Sequence, residues 1–419
     1  MYLGVIADDF TGATDIAGFL VGNGLPTTQL IGVPAEGFRV ASDAAVVSLK
    51  SRSCAPDEAV EQSKAALRWL QAQGCKQFFF KYCSTFDSTA KGNIGPVTDA
   101  LLKELDDTFT IICPSLPVNG RTVYYGYLFV GDVPLNESGM RHHPITPMLD
   151  SNLMRLMEAQ ASGKAGNIPA GIIDRGVEAV REAFKNLRAA GVRYAVVDTL
   201  TDEHLTVLGQ AVEGLSLVTG GSGLGAGIAR AFSSRNGGKA GDASAAGAPP
   251  GGKTIILSGS CSTMTNRQVA VYSSEAPAYA LDVLKCLGGA QNYAEEVAGW
   301  ISGQAGSILA PLVYATTDPE GLAVVQKTHG AEAASAAVEA FFSHLAKLLA
   351  GAGFDHFIVA GGETSGVVVQ SLGISGFHIG PQIAPGVPWV RAVNVPLSLA
   401  LKSGNFGDEQ FFFKAQSFY

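Results

Sequence analysis

Three features of the 419-residue chain predict an α/β fold of two domains, each a mostly parallel sheet flanked by helices. Short apolar runs without polar alternation recur between segments of helical period, the pattern of strands covered on both faces. The length exceeds what one hydrophobic core usually supports, so two domains are the default. Finally, a tract of Gly, Ala, Ser and Pro between Ser233 and Lys253 has no periodicity and cannot bury a core. The expected division is therefore a domain over 1–233, a linker or loop over 234–252, and a second domain over 253–419.

The elements follow in order. Tyr2 to Ala7 reads as a strand buried on both faces. Ala13, Ile16, Ala17, Leu20 and Val21 then repeat at helical spacing, with Gly24 as a C-terminal cap. Strands are expected at Ala44–Leu49, Phe78–Tyr82 and Phe109–Cys113, with helices at Asp57–Gln73 and Ile94–Leu105. Val123 to Val130 is aromatic and suits a hairpin or insertion. Ile172-Ile173, Ala195–Val197 and Leu215–Val218 are assigned to later strands. Beyond the tract, strands are expected at Thr254–Leu257, Ser307–Ala315 and Asp355–Ala360, and helices near Thr263–Tyr272, Ala331–Ala350 and Thr364–Gln370.

Composition narrows the function classes. A net charge of −8 argues against nucleic acid or an anionic membrane as partner, so an anionic ligand must be held by a few local cations. The six cysteines form no CxxC pair and read as buried thiols of a reducing compartment. No apolar run is expected to span a bilayer, and Asp8 and Asp9 interrupt the first one too early for a signal peptide. A cytoplasmic globular enzyme or binding protein is expected.

Candidate chemistry gathers where strands end. Asp8 and Asp9 follow the first strand; one can orient or deprotonate a substrate hydroxyl, the other bind a hydroxyl or a metal. Helix capping by one of them is the competing reading. Arg52, after the next strand, can fork onto a carboxylate. Lys81, Asp87, Ser88 and Thr89 lie in a polar segment after a third strand and suit a small polyhydroxylated anion. Arg121 and the segment 141–144 are further cations, although a surface salt bridge explains most such residues.

In the second domain, Gly361-Gly362-Glu363-Thr364 joins a strand to a helix. Bare glycines there let backbone N–H groups approach a phosphate at the helix N-terminus. Ser258–Ser262 and Gly404 mark two more turns at expected carboxyl ends of strands, and together the three favour a nucleotide seat. Gly247–Thr254 spells a Walker A pattern but runs into a strand instead of a helix, and its two prolines remove N–H donors. Gly221–Ala226 spells a dinucleotide fingerprint without a ribose-binding acid some 20 residues on, so structural glycines, or a loop lining the domain cleft, are the better readings.

With these residues in hand, the chain resembles the four-carbon acid sugar kinase family. The matching segments are 4–15, Lys81 with Asp87-Ser88-Thr89, 361–366, 377–386 and 401–407. Ala90-Lys91 departs from the family pattern, which places an arginine before the glycine. The resemblance implies a sugar-acid domain, a nucleotide domain and an active site in the cleft between them. It implies ATP-dependent phosphorylation of the 4-hydroxyl of a 3-oxo-tetronate, with threonate or erythronate as the alternative acceptor. ATP, with Mg²⁺ as its counter-ion, would meet Ser258, Gly361–Thr364 and Gly404, while the acid would meet Asp8, Asp9, Arg52, Lys81, Asp87, Ser88 and Thr89. Asp9 is the favoured base, with Asp8 and Asp87 behind it; no metal ligands are assigned. The expected partners are the sugar acid and ATP, a homodimer is a candidate assembly, and neither nucleic acid nor membrane is expected. A metal-dependent aldolase or dehydratase and a non-catalytic sugar-acid sensor are the readings from other classes.

Overall fold

The computed structural model describes residues 1–143, 145–237, 243–304, 306–316 and 330–418. The chain forms two compact units, Met1–Ala243 and Ser244–Tyr419. The first unit carries strands β1 (Leu3–Ala7), β2 (Thr27–Ile31), β3 (Ala44–Ser48), β4 (Gln77–Lys81), β5 (Thr110–Cys113), β6 (Arg121–Tyr124), β7 (Tyr127–Val130), β8 (Val133–Pro134), β9 (Lys164–Ile168), β10 (Val192–Val197) and β11 (Leu217–Gly220). Eight of them run in the order β2-β3-β1-β4-β11-β5-β10-β9, and every pairing among these eight is parallel. All five residues of β1, β3 and β4 are buried, as apolar runs covered by helices on both faces must be. One face packs Ile6, Val47, Phe78 and Phe80 against Leu67 and Leu70 of the helix Pro56–Ala72 and Leu101 of the helix Ile94–Glu104.

Chain order departs from spatial order at β1, which is flanked by β3 on one side and β4 on the other. The loops after β1 and β3 thus share the carboxyl edge, where open α/β sheets bind ligands. The aromatic segment is the hairpin β6–β7, closed by Tyr125 at φ +47° and Gly126 at φ +75°. The buried Asp198 carboxylate pins that turn, accepting from Tyr125 N at 2.7 Å, Gly126 N at 2.9 Å and Asn167 Nδ2 at 2.8 Å.

The second unit has strands β12 (Thr254–Ser258), β13 (Ala278–Ala280), β14 (Leu312–Tyr314), β15 (His356–Ala360), β16 (Gly376–Ala384), β17 (Val387–Ala392) and β18 (Ser398–Lys402). Their order is β13-β14-β12-β15-β18-β17-β16; the first five are parallel, and β17 pairs antiparallel with both its neighbours. Trp389, Tyr272, Phe411 and Phe412 build the core beside it.

Several expectations are corrected. Ile172-Ile173 belongs to the short helix Ala170–Ile173: Pro169 supplies its extended N-cap, and two apolar residues are too few to fix a period. The strand expected over Ser307–Ala315 shrinks to Leu312–Tyr314. The helix Val283–Ser302 escapes the periodicity reading because Gly288-Gly289 interrupts it, with Gly289 at a non-helical φ of 158°. Within the tract 234–252, residues 238–242 lie outside those described, and the helix Ser222–Arg235 reaches into its start. Gly247 is buried, and a methyl carbon on it would lie 2.2 Å from Gly380 N of β16, so the tract is packed at that point, while Ala245, Ala246 and Pro250 to Lys253 are exposed as expected. One helix, Glu332–Gly351, does reach the length and mean hydropathy (1.2) of a span, contrary to the sequence reading. In this unit it buries Phe341, Phe342, Leu345 and Leu349, the stripe of a core helix.

The dinucleotide-like glycines are packing glycines. The helices Asp202–Ala211 and Ser222–Arg235 meet backbone to backbone, so a methyl carbon on Gly227 would lie 2.0 Å from Leu205 O. Gly227→Ala should therefore lower the unfolding free energy in urea by about 1–3 kcal/mol, the range for overpacking a filled core. Gly18→Ala, on a helix position with open space around it, should be neutral or stabilising by up to about 1 kcal/mol. Equal effects of the two changes would contradict this account of the packing.

Candidate functional site

In the first unit, parallel register brings three strand ends level. Ala7 lies opposite Ser48 of β3 and opposite Lys81 of β4, so the segments following β1 and β3 and the last residue of β4 share one edge. Asp8 and Asp9 then meet Arg52. The guanidinium forks onto Asp8, Nε to Oδ2 at 2.9 Å and Nη2 to Oδ1 at 2.8 Å, and Nη2 also reaches Asp9 Oδ1 at 2.7 Å. Asp8 is buried at 6% exposure, and that burial pushes its carboxyl pKa up against the pull of Arg52. Asp8 is thus committed to holding Arg52.

Asp9 does two jobs at one oxygen. Its Oδ1 accepts from Gly12 N at 2.8 Å, capping the helix Phe10–Gly22, and from Arg52. Its Oδ2 has no hydrogen-bond partner among the described residues. Lys81 is buried and donates to Tyr82 O at 2.9 Å, with no described carboxylate oxygen within 4.0 Å. These groups converge on Gly12, where a methyl carbon would lie 2.4 Å from Asp9 Oδ1, 3.2 Å from Lys81 Nζ and 3.5 Å from Arg52 Nη2. Only glycine leaves that room, and the sequence alone did not single out position 12.

The polar segment after β4 is held in strained backbone. Phe86 and Asp87 take φ of +65° and +40°, and Thr85 Oγ1 donates to Asp87 Oδ1 at 2.6 Å. Strain of this kind in non-glycine residues clusters at functional sites. Ser88 turns inward, donating to Gln160 Oε1 at 2.7 Å, while Thr89 Oγ1 only accepts from Lys91 N at 3.4 Å. Asn93, also missed from sequence, clamps the Arg52 loop by donating to Ser51 O at 2.7 Å and Cys54 O at 3.0 Å. Arg121 sits apart on β6, donating to Asn119 O; Arg141 donates to Asn136 O at 3.2 Å, and Pro144 lies outside the described residues. No hydrogen bond or ion pair among the described residues joins these cations to Asp8 or Asp9.

In the second unit, β12, β15 and β18 are neighbours, and Ser258, Ala360 and Lys402 end them in register. Ser258 Oγ pairs with Thr316 Oγ1 at 2.7 Å, and Ser262, not Ser258, caps the helix Thr263–Ser273. Gly361, at φ +123°, bends the chain from β15 into the helix Gly362–Ser371, and its N donates to Lys402 O at 2.9 Å. The first N–H groups of that helix have no acceptor inside it and face the turn. Thr364 is buried beneath, with Oγ1 2.1 Å from a methyl carbon on Gly259. A methyl carbon on Gly404 would lie 2.6 Å from Ser260 Oγ and 2.7 Å from Ser262 Oγ, so these turns are in contact. Around Gly362 there is open space, and Glu363 is exposed. Among the described residues no three His, Cys, Asp or Glu side chains gather to hold a metal ion. The arrangement can seat an anion on backbone donors.

Residues 3–228 match the family described as the sugar-binding N-terminal domain, and residues 255–412 match the nucleotide-binding C-terminal domain. The chain is similar to a Brucella melitensis protein named 3-oxo-tetronate kinase, 62% identical over 99% of this chain and 95% of the relative. A Salmonella typhimurium protein of the same name is 59% identical over 99% of this chain and 98% of its own. A solved structure from Haemophilus influenzae, 57% identical, superposes with a TM-score of 0.93 and covers 99% of both chains. The paired-acid loop, the glycine turns and these full-length likenesses agree: the chain belongs to the four-carbon acid sugar kinase family.

Proposed function

We propose that this protein is a kinase that transfers the γ-phosphoryl group of ATP to the 4-hydroxyl of a 3-oxo-tetronate, releasing ADP. The observation that carries the reading is Asp9: one oxygen is fixed by Gly12 N and Arg52, and the other is left unpaired beside two cations. A base must be held still and still have a lone pair to offer. In this reading Asp9 Oδ2 accepts the proton of the 4-hydroxyl as that oxygen attacks the γ-phosphorus, and the bond to the β-phosphate oxygen breaks. Arg52 and Lys81 attract the substrate carboxylate, and Asp87 and Thr89 meet its hydroxyls. Asp8 holds Arg52, and Ser88 holds Gln160, so both act by positioning.

ATP takes the seat formed by Gly361–Thr364, Gly404 and the loop after Ser258, in the unit that matches a nucleotide-binding family. Its phosphates bring Mg²⁺ with them as counter-ion. Phosphoryl transfer is chiefly positioning and charge neutralisation, so the acceptor oxygen and the γ-phosphorus must come within about 3–3.5 Å with water excluded. The names of the relatives favour this reading over a metal-dependent aldolase and over a sensor. Six free cysteines suit a reducing, cytoplasmic setting.

ADP release, coupled to a spectrophotometric assay across tetronates and their 3-oxo forms, tests the assignment directly. Fastest turnover on a 3-oxo acid is expected; turnover on the unoxidised acids alone would move the assignment to them. Asp9→Asn keeps the side-chain shape and the oxygen that caps the helix, so it should lose on the order of 10²–10⁴ in kcat with ATP binding retained. A near-normal kcat in that variant would shift the base to Asp87. Gly362→Val has room to fold but fills the space the phosphate needs. It should raise KM for ATP about tenfold or more and leave KM for the sugar acid nearly unchanged; equal ATP kinetics would remove the seat from this turn.

A further inference from the structure

Lys402, the last residue of β18, is 1% exposed. Its ammonium donates to Thr265 Oγ1 at 3.0 Å, Ser403 O at 3.1 Å and Gly404 O at 3.0 Å. Thr265 Oγ1 in turn donates to Gly404 O at 2.7 Å and accepts from Ser262 Oγ at 3.1 Å. The ammonium therefore ties the turn after β18 to the loop after β12. All three of its protons go to neutral oxygens, and among the described residues no carboxylate oxygen lies within 4.0 Å of Nζ. An unneutralised buried cation is costly, and the cost falls when an anion arrives beside it or when the proton leaves.

We propose that Lys402 is the fixed positive charge of the phosphate seat, a positioning residue that holds the Gly404 turn and sets affinity for the nucleotide's phosphates. The inference rests on the reading of this unit as the ATP site. Other charged and titratable groups on the surrounding elements are engaged or distant. On the helix Thr263–Ser273, Arg267 pairs with Glu409 at 3.6 Å and the Tyr272 hydroxyl donates to Ala310 O. Lys414, on the helix Phe411–Gln416, pairs with Asp408, and the Phe411 ring centroid lies 5.9 Å from Lys402 Nζ. His356, at the far end of β15, pairs with Asp355; Arg391 projects from β17, Glu363 from the helix Gly362–Ser371, and Cys261 lies in the β12 loop. Burial alone, with no offsetting acid, brings the Lys402 ammonium down to about 8. An arriving polyphosphate favours the charged form, so nucleotide binding must take up a proton above that pH, and affinity must fall as pH rises through it.

The test is isothermal titration calorimetry of the full chain with ATP–Mg and no sugar acid, at about pH 7 and about pH 9 in buffers of different ionisation heat. The wild type should bind about tenfold more weakly at the higher pH, with proton uptake. Lys402→Arg, charged at both pH values, should bind without that dependence, and Lys402→Met should bind weakly and equally at both. Should Lys402→Met fail to fold, the wild-type and Lys402→Arg profiles decide. A wild type with pH-independent affinity, or a folded Lys402→Met that keeps the dependence, would overturn the role of Lys402 while leaving the ATP site in place. A wild type that binds no ATP at either pH would overturn the site and the role together.

Discussion

A single guanidinium, that of Arg52, organises the acidic edge of the first unit. It is bound through Nε and Nη2 to Asp8 and through Nη2 to Asp9, so the turns after β1 and β3 are fixed to each other. Removing such charges from water is costly, and a buried ion pair is weak evidence for stability. Its value here is geometric. Asp8 is spent on the fork, and that leaves Asp9 oriented by its helix cap and by Arg52, with Oδ2 unengaged. Gly12 has no side chain because those groups fill its space, and Asn93 fixes the Arg52 loop from beneath. Two acids against two cations make this edge close to neutral, so one more carboxylate, from a sugar acid, is tolerated.

The second unit solves a different problem on a sheet whose first five strands in spatial order are again parallel. In the proposed reading its phosphate ligand carries several charges, which backbone donors at Gly361–Thr364 and Gly404 and one buried ammonium, Lys402, would meet. Three adjacent parallel strands ending in register make this possible, because every connection leaving them starts from the same edge. Both units thus place their candidate groups at the carboxyl ends of parallel strands, one edge close to neutral and the other carrying a buried cation.

Much of this was legible in the sequence because buried parallel strands are short, uninterrupted apolar runs. β1, β3, β4, β5, β12 and β15 could be read that way, and most site candidates stood at or just after the ends of these strands other than β5. Thr27–Ile31 and Gly376–Ala384 could not be read so: the first is half polar, and the second contains two glycines and a proline. Side-chain assignments were less legible still. Nothing in the string Asp8-Asp9 says which acid takes the guanidinium; that depends on where β3 delivers Arg52. Gly12, Asn93 and Lys402 matter through contacts made across 40 residues or more of chain, or through burial, and neither leaves a local pattern. The Walker-like tract shows the reverse error: a motif of the right letters that packs Gly247 against β16 and enters a strand.

The most direct measurement is a crystal structure of the full-chain protein with a non-hydrolysable ATP analogue and a 3-oxo-tetronate. The account predicts the analogue's phosphates on the N–H groups of Gly361–Thr364 and Gly404, the acid's carboxylate on Arg52 or Lys81, and its 4-hydroxyl within hydrogen-bond distance of Asp9 Oδ2. A sugar acid bound away from Asp9, or phosphates seated on the Gly247–Thr254 tract, would contradict it.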